Sequence, residues 1–271
     1  MKILKAATFI DYITKGGSTM PWIVSAMDGD KEIAYVVKLF SPKTIEQQFA
    51  VGKEVFGNVL AKEFSLTVPD YALIDFGDDF IETLNDDHKQ RLNKVDSGLK
   101  FGTVLKDGAL NFSPALHKEH FKLEDFANVY AFDCLMYNVD RGRRIDKPNV
   151  LVNNEGFFLI DHEQSLHFAD NQESHYNLIF NRFSEGRLDY PYTKHLFYND
   201  LRSIDAFKKE HVFDEFIEYL TKMHTPKILA IGKSLSDNNI STGNYRRIFD
   251  YFCVLKRDIN KVSKALISSI S

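Results

Sequence analysis

Residues 137–152, YNVDRGRRIDKPNVLV, set two aspartates, three arginines and two asparagines between apolar segments. Asp140 stands where an apolar, helix-like run ends, and Arg141 follows as a cation able to hold or neutralise it. A carboxylate so placed can orient a hydroxyl nucleophile and take its proton during phosphoryl transfer. Downstream, NVLV and FFLI flank the turn residues NNEG, the pattern of a hairpin closing about Asn154 and Glu155. Antiparallel pairing then returns Asp161 to the start of the first strand, near Asn149. One carboxylate and one amide oxygen suit Mg²⁺, which takes few protein ligands and leaves its other positions to water and phosphate oxygens. Taken singly, Asp and Asn are ordinary turn residues, so the weight lies in their joint placement.

Phosphoryl transfer also needs a group that holds the donor's phosphates. Lys38 lies within the β-forming run IAYVVKLF, where an ammonium is costly to bury unless paired, and Glu54 on the following helix is its candidate partner. For this residue alone, an edge-strand lysine facing water is the plainer alternative. Upstream, Gly16, Gly17 and Ser18 of GGST can bring backbone N–H groups close to phosphates. Glycine turn, strand lysine, helix glutamate, loop aspartate, asparagine and post-hairpin aspartate follow one another in protein-kinase order. GxGxxG, HRD and APE are absent, and the one DFG, at residues 75–77, precedes the loop aspartate instead of following it.

The phrases AFDCLMYNVDR, KPNVLV and FFLIDHEQSLHF, with GGSTMP, YVVKLF and KEVFGNVLAKEFSLTVP before them, resemble the HipA-like kinase family over most of residues 16–168. The length resembles its shorter, standalone type. That resemblance implies an α+β, two-lobed protein-kinase-like fold with a small β-rich N-lobe and a larger, mainly helical C-lobe. It implies ATP and Mg²⁺ as cofactors, Asp140 as catalytic base with Arg141 beside it, Asp161 as principal metal ligand and Asn149 as the second. Lys38 becomes the phosphate-contacting lysine, Glu54 its ion-pair partner, and Gly16, Gly17 and Ser18 the phosphate loop. The implied activity is a serine/threonine protein kinase with a toxin or regulatory role, a protein substrate, and an antitoxin or regulatory partner. One departure stands out. The family commonly has a histidine after the DR pair and an asparagine five positions beyond the aspartate, where this chain has Gly142 and Ile145. Asn149 lies nine positions on, and Asp146 is an alternative ligand.

Positioning these groups requires a definite set of elements. Segments 22–27 and 33–40 flank DGDK as an antiparallel hairpin, and 71–76 reads as a third strand. Between them, Phe49, Phe56, Val59, Leu60 and Phe64 recur at helical spacing over 45–64, with Pro69 beyond. Residues 78–114 are polar and glycine-containing, a linker or lid in which GLKFGTVL stays unassigned. LEDFANVYAFDCLMYN reads as a buried helix, and 213–223 and 245–267 as amphipathic ones. The expected division is a single domain: 1–80 as N-lobe, 81–122 as hinge or lid, 123–271 as C-lobe.

Composition narrows the partners. A chain of 271 residues with 44% hydrophobic and 13% aromatic content builds a substantial core. Its formal charge of -4 and pI near 6.1 remove the overall electrostatic argument for nucleic-acid binding. The short basic clusters at Arg141, Arg143, Arg144 and Lys147 and at 245–247 carry no binding motif. Cys134 and Cys253 lack zinc spacing and read as buried thiols in a reducing cytosol. An N-terminal apolar run broken by Lys5, Asp11 and Lys15, without a cleavage site, and the lack of any span-length apolar stretch give a cytoplasmic expectation with no membrane partner. Two other readings share the same core chemistry: a small-molecule or lipid kinase, and a pseudokinase or nucleotide-responsive binding module. A metal hydrolase built on Asp161, His162 and Glu163 fits poorly, because successive strand residues alternate faces.

Overall fold

The computed structural model of the chain describes residues 1–14, 20–117, 121–142, 147–170 and 172–271. Gly16, Gly17 and Ser18 lie outside the described residues, as do Arg143, Arg144 and Asp146. The fold is mixed α+β, with a small β-rich N-terminal part followed by a helical remainder.

Five strands close into a barrel among the described residues: β1 (Ile3–Tyr12), β2 (Trp22–Asp28), β3 (Lys31–Val37), β4 (Tyr71–Asp75) and β5 (Lys100–Val104), in the order β1-β2-β3-β5-β4. The β1–β4 pair is parallel and the others are antiparallel. The β2–β3 hairpin, β-branched and aromatic on either side of its turn, pairs Trp22 with Val37 and Asp28 with Lys31. Two of the five strands lay outside the sequence expectation. In β1 only Ala6 is buried, so its apolar residues do not alternate inward as a half-buried strand should. The unassigned GLKFGTVL is β5, which sits between β3 and β4. The expected hinge or lid at 81–122 therefore contributes a barrel strand.

A single helix was expected over 45–64, but two form: α1 (Pro42–Gln48) and α2 (Ala50–Glu63). The Ser41 hydroxyl caps α1 by accepting from the Thr44 N–H at 3.2 Å, with proline in the first turn. Phe49, in the left-handed region at φ 55°, separates the two. Nearly every residue of α2 is buried, because the helix lies between the barrel and the rest of the protein.

Two short helices, α3 (Asp78–Thr83) and α4 (Asp86–Leu92), follow β4. After β5 come β6 (Leu110–Asn111), α5 (Pro114–His117) and the buried helix α6 (Leu123–Met136). Then β7 (Val150–Asn153) and β8 (Gly156–Leu159) form the expected hairpin, pairing Asn153 with Gly156 across a two-residue turn, and β6 adds a third strand. The remainder is helical: α7 (Glu173–Ser184), α8 (Tyr198–Arg202), α9 (Ala206–His211), α10 (Asp214–Lys222), α11 (Pro226–Asp237), α12 (Tyr245–Arg257) and α13 (Ile259–Ser269). The amphipathic stretch 245–267 is thus broken at Asp258. No helix among the described residues is long and apolar enough to cross a membrane. Cys134 is buried, Cys253 half-buried, and neither is bonded to the other.

Candidate active site

Lys38 directly follows β3, and its backbone N–H donates to the Phe101 carbonyl of β5 at 3.0 Å. Strand and barrel thereby fix the base of the side chain. Its ammonium reaches three carboxylates from two other parts of the chain: Glu54 of α2, Asp161 at 2.7 Å and Glu163 at 2.7 Å. Glu54 is 1% exposed, and its second oxygen accepts the His162 backbone N–H at 3.1 Å. One buried glutamate thus ties the barrel lysine to the segment after β8. Burial would lower the Lys38 pKa, but Asp161, Glu163 and Glu54 outweigh it and hold the ammonium well above its ordinary value. Burial likewise pushes Asp161 up, but the charge and hydrogen bond of Lys38 bring it down to about 2. Glu163 moves the other way, to about 8, since burial and the neighbouring Asp161 and Glu54 charges prevail over Lys38.

The hairpin brings the second half of the site to the first. Val150 pairs with Leu159, and the Ile160 N–H donates to the Asn149 carbonyl at 3.1 Å, so Asn149 and Asp161 stand at the same end. Both residues have left-handed backbones, at φ 56° and 66°, a conformation that Asn and Asp tolerate better than other non-glycine residues. The Asn149 amide donates to Asp140 at 3.0 Å. Asp140 is half-buried, just past the end of α6. Lys38, Glu54, Asn149 and Asp161 all line one cleft of about 440 Å³ between barrel and hairpin, with Val36, Phe101, Leu105, Leu151 and Leu159 among its apolar walls. Its size and its mixture of apolar walls with a few polar groups suit a small organic ligand.

Arg141 is placed differently from the sequence expectation. It is 1% exposed, and its guanidinium donates to the Asp133 carboxylate of α6 and to the Asn149 carbonyl. Asp133 also bonds the Asn138 amide at 3.1 Å and His195 at 3.0 Å. A buried carboxylate in the last turn of α6 outcompetes the half-buried Asp140, so Arg141 anchors the loop and the hairpin rather than neutralising Asp140. It is likewise unavailable to nucleic acid. Arg247, in the other basic cluster, donates to the Asp170 and Gln172 carbonyls. The next residue, Gly142, has φ 85°, and a Cβ there would lie 2.4 Å from the Leu196 backbone nitrogen. Only glycine fits this turn.

His162 is buried, with neither ring nitrogen hydrogen-bonded among the described residues, and burial together with Arg141 lowers its pKa to about 3. It packs so closely on α2 that a Cβ at Gly57 would lie 2.2 Å from its own. Glu163, which the sequence offers only within the poorly fitting metal-hydrolase reading, bonds Lys38 as directly as Asp161 does. Both residues lie beyond the end of β8, and with Asp161 left-handed at φ 66° the segment is not a strand whose residues alternate, so the two carboxylates converge on Lys38.

A model of HipA-like kinases matches residues 8–225 of this chain. The chain belongs to the HipA-like kinase family. The fold of this HipA-like kinase is similar to that in the crystal structure of a Helicobacter pylori proinflammatory kinase, CtkA, with a TM-score of 0.53 over 97% of this chain and 98% of that one at 12% identity. No curated protein matches the chain. As a kinase it is a phosphotransferase, and kinases in general use ATP and a divalent metal. The donor set of this HipA-like kinase fits such a metal, since Glu54, Asp161 and Glu163 each offer a carboxylate oxygen within 4.8 Å of the others.

Proposed function

We propose that this HipA-like kinase is an ATP- and Mg²⁺-dependent serine/threonine protein kinase, a single two-lobed domain whose lobes meet at the Lys38 cluster. The observation that carries the reading is Lys38, which leaves the barrel and meets Glu54 and Asp161 at the wall of a ligand-sized cleft. In it, Lys38 contacts the donor phosphates while Glu54 orients the ammonium. Asp140, held by the Asn149 amide, accepts the proton of the acceptor hydroxyl as its oxygen attacks the terminal phosphorus and the bond to the bridging oxygen of ADP breaks. Asp161 would hold the Mg²⁺ with Asn149 as second ligand, and the bound ion would neutralise phosphate charge. Gly16, Gly17 and Ser18 are assigned to the phosphate loop from the sequence. A toxin or regulatory role in the cytoplasm, with a protein substrate and an antitoxin or regulatory partner, is the biological setting the reading suggests.

Labelled ATP and Mg²⁺, incubated with the protein alone and with cell lysate, test it. Asp140→Ala and Asp161→Ala are each expected to lower transfer to protein about a hundredfold or more. Label that persists in both variants sinks the assignment, and label that goes only to lipids or small molecules moves the acceptor to another class. Nucleotide binding without transfer by the wild type would favour the pseudokinase reading.

A further inference from the structure

Glu54, Asp161 and Glu163 surround Lys38, but their oxygens are not equivalent. Both oxygens of Glu54 are engaged, one by the Lys38 ammonium and one by the His162 backbone N–H. Lys38 contacts one oxygen of Asp161 and one of Glu163, each at 2.7 Å. Three carboxyl groups crowd one ammonium, each offering an oxygen within 4.8 Å of the others, in a partly desolvated setting where like charges repel more strongly than in water. A divalent cation set among them offsets that repulsion. Asp161 and Glu163 thus converge on one point, with His162 buried between them in the chain.

Resting on the reading above, in which Asp161 carries the cation, we propose that Glu163 is a further ligand of the same ion. Two carboxylates of one short segment then form the hard-oxygen pair, and Glu54 remains the partner of the lysine. The ammonium now set between Asp161 and Glu163 gains the phosphates of the nucleotide as its new partners. Nothing in the tripeptide other than the Glu163 side chain can supply this second carboxylate, because the His162 ring faces the core.

Manganese binding by the full chain without nucleotide, followed through the loss of the free Mn²⁺ electron-spin signal, tests the assignment. Glu163→Gln keeps shape and hydrogen bonding while removing the charge, and is expected to weaken Mn²⁺ binding about tenfold or more. Glu163→Ala, which adds no bulk, is read on the same scale in case the glutamine variant fails to fold. An affinity equal to wild type in a folded Glu163 variant overturns the proposal. If Asp161→Asn then still weakens Mn²⁺ binding, the kinase reading survives that failure. A wild type that binds neither Mn²⁺ nor an ATP analogue overturns both.

Discussion

Lys53 precedes Glu54 on α2 and is 9% exposed. Burial lowers its pKa from 10.5 to about 8, with only partial relief from Asp170 and Glu163. The folded chain gives up this proton near pH 8, whereas the unfolded chain keeps it to about 10.5. Across that window the unfolded state binds more protons, so this residue makes stability rise with pH, and its penalty is complete below the window. Lys53→Met is expected to stabilise the protein at pH 7 by about 2 kcal/mol, a gain that shrinks to nothing near pH 10.5. Urea unfolding of both proteins at several pH values checks this, and a gain independent of pH would contradict the charge argument. At this scale two pairs were legible, Lys38 with Glu54 and Asn149 with Asp161, because a charged residue in an apolar run and a hairpin register are local signals, whereas the Lys38–Asp161 contact spans 123 positions. Glu163 was not legible as a Lys38 partner. Its role in the cluster depends on a contact across 125 sequence positions that no local pattern encodes.

The loop from α6 to β7 is held by contacts at its two ends. Arg141 ties its start to Asp133 and to the Asn149 carbonyl, and Gly142 lets Leu196 pass close by. Gly142→Ala therefore meets both an unfavourable φ and a backbone clash. A loss of about 3 kcal/mol is expected in denaturant unfolding. Gly108, also left-handed at φ 65° but with nothing within 4 Å of a Cβ, is the control and should lose only about 1 kcal/mol as alanine. Equal losses at the two positions would mean that the clash relaxes at no cost. Elements were legible where burial follows the local period, as in the β2–β3 and β7–β8 hairpins and in α6. β1 escaped because its apolar Ile3, Ile10 and Tyr12 are exposed, and β5 because five residues with a central glycine carry little periodic signal. The break at Phe49 escaped because a left-handed phenylalanine has no propensity signature.

At the scale of the whole molecule, two apolar clusters divide the interior. The smaller fills the barrel with Trp22, Val24, Tyr35, Val37, Ala72 and Ile74, and the larger joins α2, α6 and the later helices. The barrel strands do not belong wholly to the smaller one. Leu73 of β4 and Phe101 of β5 sit in the larger cluster, while Ala72 and Ile74 point the other way. Opening β4 or β5 thus exposes apolar surface on both sides at ~25 cal/mol per Å². Helix α2 adds to the coupling, because it joins β3 to β4 in the chain and is buried in the larger cluster. Barrel and helices should therefore unfold together, despite a length at which separate steps are common. The single tryptophan, Trp22, is fully buried in the barrel and reports on it by fluorescence, while far-ultraviolet circular dichroism reports mainly on the helices. Coincident urea midpoints are expected from the two probes. A Trp22 transition that clearly precedes the loss of helix would show that the shared strands do not couple the clusters, and that the Lys38 cluster opens with the barrel before the helical part melts.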